Sequence, residues 1–305
     1  MWLILAFLSA AFLGIYDSLK KKALDGNAVL PVLFLNTLFS SLIFLPLILL
    51  SASGCLAEGS LLHVASGGWE EHKYILLKAL IVLSSWVLGY FGMKHLPLTI
   101  VGPINATRPV MVLIGALLVF GERLNLWQWG GVLLAVVSFL LLSRSGKKEG
   151  IDFKHDHWIY MIVGAAALGA LSGLYDKYLM APPSEGGVGL DRMMVQSWYT
   201  LYQSVMMLVM LLLLWLPKRH HTTPFRWDWA IIGISIFLST ADFMYFYALS
   251  LPTAMISIVS MIRRGSVVVS FLCGAMFFHE KNLKAKALDL ALVLLGMVFL
   301  YIGSS

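Results

Sequence analysis

Residues 83–108, LSSWVLGYFGMKHLPLTIVGPINATR, and residues 238–263, LSTADFMYFYALSLPTAMISIVSMIR, are two versions of one segment. Laid over each other they match Leu83 to Leu238, Ser84 to Ser239, Tyr90 to Tyr245, Phe91 to Phe246, Leu96 to Leu251, Pro97 to Pro252 and Arg108 to Arg263. Leucine matches arise freely in an apolar chain; matches of tyrosine, proline and arginine do not. Outward from this pair the correspondence continues at slightly different offsets. GIYD (14–17) matches GLYD (173–176), and Gly115, Ala116 and Glu122 match Gly274, Ala275 and Glu280. The chain is a tandem repeat. Each half carries an acid in its first apolar run, an arginine inside its fourth and a glutamate at the entry to its fifth.

The 305 residues are 59% apolar and 12% charged, with a mean hydropathy of +0.84, whereas a soluble domain is about 25% charged. A membrane-spanning helix needs about 20 mostly apolar residues. Apolar runs bounded by charge, Gly or Pro predict helices near 2–19, 29–50, 74–94, 97–120, 126–143, 158–179, 193–216, 229–249, 252–278 and 284–302. The polar stretch 143–157 divides them into two five-helix repeats, 1–150 and 151–305. Five is odd, so consecutive copies enter the membrane from opposite sides. The predicted fold is an all-α polytopic membrane protein of ten transmembrane helices built as two inverted repeats, the architecture of alternating access.

Several function classes fall away. The net charge of +6 comes from basic residues between apolar runs, where they orient helices rather than bind nucleic acid. Cys55 and Cys273 are too few for a disulfide framework. The eight histidines show no helical H-E-x-x-H spacing, and neither a Gly-rich phosphate loop nor a nucleophile elbow occurs. No metal, no cofactor and no enzymatic activity are expected. The run from Trp2 to Tyr16 lacks a basic leader and reads as a first membrane helix that stays attached.

The stretch GERLNLWQWGG (121–131), between two apolar runs, resembles the Gly-Glu junction of the EamA-type drug/metabolite transporter superfamily; the second junction, HEKNLKAKALD (279–289), keeps Glu280 but lacks the flanking Gly and the downstream Gln and Gly. The resemblance implies a ten-helix carrier in the cell (inner) membrane. Such families export amino acids, drugs or other metabolites, and relatives move sugars and sugar phosphates. The expected partners are a small-molecule substrate, membrane lipids and a coupling proton, in a monomer or homodimer. A lipid-flippase subunit or a membrane-embedded transferase are the alternative readings.

A charge at the centre of a membrane helix costs about 2.5–3.5 kcal/mol on insertion scales, so each such residue needs a partner or a purpose. Arg108 and Arg263 lie about 16 Å from the prolines that start their helices, near the midplane. Arg264 is about 100° around the helix from Arg263. Asp242 is nearly level with Arg263 across the hairpin, which predicts an ion pair there, with Arg264 as the second choice. The residue equivalent to Asp242 in the first half is Val87. Arg108 therefore lacks an acid in its own hairpin and is the candidate for an anionic substrate group, the other reading being that it bonds backbone carbonyls and Asn105 or Asn36. Pro103 and Pro109 remove backbone donors and predict a bend in helix four. Helix nine has no internal proline, so only helix four is expected to bend.

Counted from the starts of helices one and six, Asp17 and Asp176 lie about 20–27 Å along, away from the midplane arginines. They read either as end-of-helix ion pairs with Lys20 and Lys177 or as proton-coupling carboxylates. Gly14, and Gly169 with Gly173, read as close helix contacts. Trp86, Tyr90, Tyr202, Gln203 and Tyr245 complete the predicted substrate site with Arg108, Asn105 and Asn36. Of the 19 Lys and Arg other than the three membrane arginines, 14 fall in connections on one side and 5 on the other. The positive-inside rule then places both termini outside the cytoplasm, whereas the family resemblance implies both inside.

Overall fold

The computed structural model describes residues 2–111, 125–147, 151, 153–251, 259, 262–278 and 283–304. Among them run ten α-helices: α1 (Trp2–Leu24), α2 (Val29–Ala52), α3 (Trp69–His95), α4 (Leu98–Ala106), α5 (Leu126–Lys147), α6 (His157–Met180), α7 (Arg192–Met210), α8 (Ala230–Ser250), α9 (Ser266–Phe277) and α10 (Leu283–Ser304). Seven helical stretches are long and apolar enough to cross a membrane, and α5 supplies a shorter apolar one. Large apolar side chains such as Phe7, Leu80, Leu126, Leu133, Leu213 and Met276 are exposed around the bundle. An aqueous surface does not tolerate apolar area on this scale, and a bilayer does. The protein is an integral multi-pass membrane protein.

Local signals set the helix ends. Glu70 and Glu71 open α3, while Lys94 and His95 close it, each charge opposing the partial charge of its helix end. Asp191 caps α7 by accepting from the backbone N–H groups of Met193 and Met194 at 2.8 and 3.0 Å.

Packing follows the repeat. Helix α1 packs on α8 and, equivalently, α6 packs on α3; α2 packs on α8 as α7 packs on α3. Other major contacts join equivalents to each other, α2 with α7, α4 with α9 and α5 with α10, while α1 also packs on α9 as α6 packs, less extensively, on α4. Exchanging each helix for the one five places on reproduces these contacts, the mark of a pseudo-two-fold axis between the halves. Each helix finds its main partners in the other half, so the two repeats interdigitate. Small residues permit the tightest crossings. A Cβ on Gly14 would stand 2.4 Å from Val269 Cβ, and one on Gly102 would stand 2.6 Å from Val267 Cγ2, so α1 and α4 both lie close against α9.

Both core helices near the axis are interrupted. Helix α4 breaks at Thr107, whose N–H turns back to Ile104 O at 3.2 Å, before residues 108–111 resume helical geometry. Pro109 has no N–H to continue the ladder. The expectation that helix nine would run straight is corrected: the turn at 262–264 is separated from α9 by Gly265, whose N–H bonds Ile262 O at 2.9 Å. Gly265 keeps right-handed helical dihedrals, φ −59° and ψ −13°, and what its missing side chain supplies is space, since a Cβ there would stand 2.8 Å from Ile262 O. The Gly-Glu junction and its counterpart, with Gly115, Ala116, Glu122 and Glu280, lie outside the described residues.

Candidate functional site: a charged cavity between the repeats

A cavity of about 170 Å³ opens where α1, α3, α4, α6, α7, α8 and α9 meet. Among its described lining residues are Asp17 and Lys20 from α1, Lys78 from α3, Arg108 beyond the α4 break, Asp176 from α6, Asp242 from α8, and Arg263 and Arg264 before the α9 break. A charge buried in a membrane protein is stable only when paired or when facing a polar cavity. All eight face the cavity, and six of them are also paired.

Three ion pairs account for the acids. Lys20 Nζ donates to Asp17 Oδ1 at 2.8 Å and sits 4.3 Å from the ring centre of Tyr16. Lys78 pairs with Asp176 across α3 and α6, its ammonium 4.9 Å from the Tyr199 ring centre. Arg263 pairs with Asp242, as the hairpin register predicts, and its guanidinium lies 4.2 Å from the Tyr245 ring. Tyr199 adds a hydrogen bond, donating its hydroxyl to Asp242 Oδ2 at 2.8 Å. Cation–π contact and charge-assisted hydrogen bonding make each pair more than a point contact.

Arg108 and Arg264 are left over. Arg108 Nη2 donates to Asn105 Oδ1 at 3.0 Å, which is a local, uncharged partner, while its Nε is buried with no hydrogen bond among the described residues. Its guanidinium lies against Gly169. Arg264 lines the same cavity and forms no ion pair among the described residues. Arg108, Arg263 and Arg264 repel one another across it.

Of the residues expected from the sequence, Arg108, Asn105, Trp86, Tyr90 and Tyr245 line the cavity. Asn36, Tyr202 and Gln203 do not. Asn36 stands behind Tyr90, donating to its hydroxyl at 3.0 Å and accepting from Ser235 Oγ. Tyr202 bonds His72 Nδ1 at 2.8 Å, and Gln203 is buried one turn beyond Tyr199, the residue by which α7 reaches the cavity.

Asp17 and Asp176 need a larger correction, since both line the cavity with the arginines. Helix α1 ends at the face where α4 begins: Lys21 Nζ donates to Met93 O and Leu96 O at 2.8 and 2.7 Å. Measured from that shared face, Asp17 and Arg108 differ by four residues, about 6 Å, which a guanidinium arm spans. Counting from the starts of helices on opposite faces hid this. Asp176 pairs with Lys78; the expected pairing with Lys177 falls on a side chain outside the described residues.

Lys78 escaped sequence reading. The signal was present, since a lysine nine residues into an apolar helix carries the same insertion cost as Arg108. Gly169 and Gly173 were also misread as a helix contact: Gly169 faces the Arg108 side chain and nothing lies within 4 Å of a Cβ on Gly173. Gly14 does make its close contact. No cluster of three or more His, Cys, Asp or Glu that could hold a metal occurs among the described residues.

Comparison with known proteins agrees with this architecture. No curated protein matches the chain. Among solved structures, one described only as the crystal structure of a protein superposes with a TM-score of 0.64 at 13% identity, covering 98% of this chain and 96% of that one; at that identity it shows a shared fold. Residues 1–144, the first five-helix repeat, match the EamA-like transporter family. By this match the first repeat, which carries Asp17, Lys78 and Arg108, is similar to the EamA-like transporter family of membrane transporters.

Proposed function

We propose that this protein is a secondary active transporter of the cell membrane that moves a small anionic metabolite by alternating access. One observation carries the reading: Arg108, with a buried Nε that has no hydrogen-bond partner among the described residues, faces a cavity built by both repeats. A substrate carboxylate or phosphoryl oxygen completes that guanidinium, and a bidentate anion satisfies it best. Trp86, Tyr90 and Tyr245 offer ring faces for the rest of the solute. Exchange of conformation between the two repeats turns the cavity from one face to the other, and the helix breaks at Thr107 and Gly265 are the points at which it does so.

Export is the direction that fits the family, and protons are the coupling ion that fits three carboxylates in one cavity, Asp17, Asp176 and Asp242. Purified protein in proteoliposomes, assayed by counterflow with amino acids, mono- and dicarboxylates and phosphorylated solutes, tests the reading. Expected is saturable exchange of an anionic solute, accelerated by an imposed pH gradient and lost in Arg108→Ala. Exchange that is unchanged by Arg108→Ala, or confined to neutral and cationic solutes, overturns it.

A further inference from the structure

The cavity's described charges do not balance. Five bases face three acids, and the three ion pairs engage Lys20, Lys78 and Arg263. Two guanidiniums, Arg108 and Arg264, remain in one cavity of about 170 Å³. A monocarboxylate neutralises one of them and leaves the other facing a low-dielectric site, where an unmatched charge is costly. Two hydroxyls without a hydrogen bond among the described residues, those of Ser172 and Ser266, line the same space.

Resting on the transporter reading above, we infer that the substrate carries a phosphate monoester, bound as a dianion between Arg108 and Arg264. Its phosphoryl group brings about −1.5 to −2 charge at neutral pH and three acceptor oxygens, enough for both guanidiniums and for the Ser172 and Ser266 hydroxyls. Planar guanidinium forks suit phosphoryl oxygens better than a point ammonium does. The two lysines of the cavity are held by acids, and the two forks are what remains for the ligand. The same chemistry occurs on a water-soluble phosphorylated metabolite and on a lipid phosphate headgroup.

The test is binding to full-length purified protein in detergent, read by thermal shift and microscale thermophoresis. Glucose 6-phosphate, glucose 6-sulfate, glucose and dihexanoyl phosphatidic acid are compared at pH 8. The phosphate and sulfate esters differ chiefly in charge. Expected is binding of one phosphomonoester at least about tenfold tighter than the sulfate ester, the advantage shrinking as pH falls from 8 to 5 through the second phosphate ionisation, near 6. Arg264→Gln abolishes the advantage while weak sulfate binding persists; Arg264→Lys restores part of it. Preference for dihexanoyl phosphatidic acid over glucose 6-phosphate supports the phosphoryl site and identifies its source as lipid.

Equal affinity for phosphate and sulfate esters at pH 8, or a preference untouched by Arg264→Gln, overturns the dianion site and leaves an anion transporter standing. Binding of neutral glucose alone, with no anion recognised, removes both readings. Where Arg264→Gln fails to fold, the wild-type phosphate-to-sulfate ratio and its pH profile decide the matter.

Discussion

The guanidinium of Arg108 rests on the bare backbone of Gly169: a Cβ built on that glycine would stand 2.7 Å from both Cζ and Nη1. A missing side chain on α6, in the second repeat, thus makes room for the cation of the first. Gly169→Ala must push the guanidinium away from its place. The helix itself gains up to about 1 kcal/mol from alanine, so the protein remains folded while anion binding falls at least about tenfold. Gly173→Ala, one turn on, meets nothing within 4 Å and retains binding. Titration of both variants with the best anionic ligand, beside a thermal melt, checks this; equal behaviour of the two glycine variants would falsify it.

Lys78 and Asp176 form an ion pair that bolts α3 to α6. Removing either partner leaves a buried charge alone, at a cost of about 3–5 kcal/mol, whereas replacing both by apolar residues of similar size is often close to neutral. Lys78→Met and Asp176→Leu are each expected to lower stability in detergent strongly, and the double variant to recover most of the loss. Additive losses in the double variant would show that the two charges do not depend on each other.

Much of this was readable from residue spacing. The tandem match at Tyr90 and Tyr245 and at Pro97 and Pro252 implied ten helices and the pseudo-two-fold axis, because repetition of rare residues survives where apolar composition carries no register. Depth counting paired Asp242 with Arg263, since both are measured from one hairpin. It failed for Asp17 because α1 and α4 do not share a hairpin, and only the Lys21 contacts to Met93 and Leu96 show that their ends lie at the same face. Lys78 was visible as a charge within an apolar run, but its pairing was not: Asp176 is 98 residues away, and no local pattern joins the two. Asn36 illustrates the reverse, a polar side chain that bonds Tyr90 and Ser235 between helices and stays out of the cavity lining.

Tyr199 ties α7 to the second-half pair through its 2.8 Å hydrogen bond to Asp242. Tyr199→Phe removes one charge-assisted hydrogen bond, worth about 1.5–3 kcal/mol, but leaves Arg263 on the carboxylate. Asp242→Asn leaves Arg263 without its counter-ion and is expected to cost more. Denaturant or thermal unfolding should rank Asp242→Asn below Tyr199→Phe and both below wild type; a larger loss for Tyr199→Phe contradicts the pairing described here.

The positive-inside rule gives an expected orientation once the cavity residues are set aside. Lys20 and Lys78 line the cavity and have no part in the positive-inside bias, which counts connections close to the spans. The connections after α1, α3, α5 and α7 still hold Lys21, Lys22, Lys94, Arg144, Lys147, Lys148, Lys154, Lys218, Arg219 and Arg226, against Lys73, Arg123, Lys177 and Arg192 on the other side. By the positive-inside rule that bias predicts these connections in the cytoplasm and both termini outside, against the orientation that the family resemblance implies. A C-terminal alkaline phosphatase fusion should be active and a C-terminal green fluorescent protein fusion dark, with the opposite result for fusions at residue 222; a fluorescent C-terminal fusion with a dark partner at 222 reverses the assignment. The outcome also fixes which charge a solute meets first. With the α1 to α2 connection in the cytoplasm, the Asp17, Lys20 and Arg108 end of the cavity would lie nearer that side, and on the proposed reading an anion entering from the cytoplasm would meet Arg108 before the Asp242 and Arg263 pair.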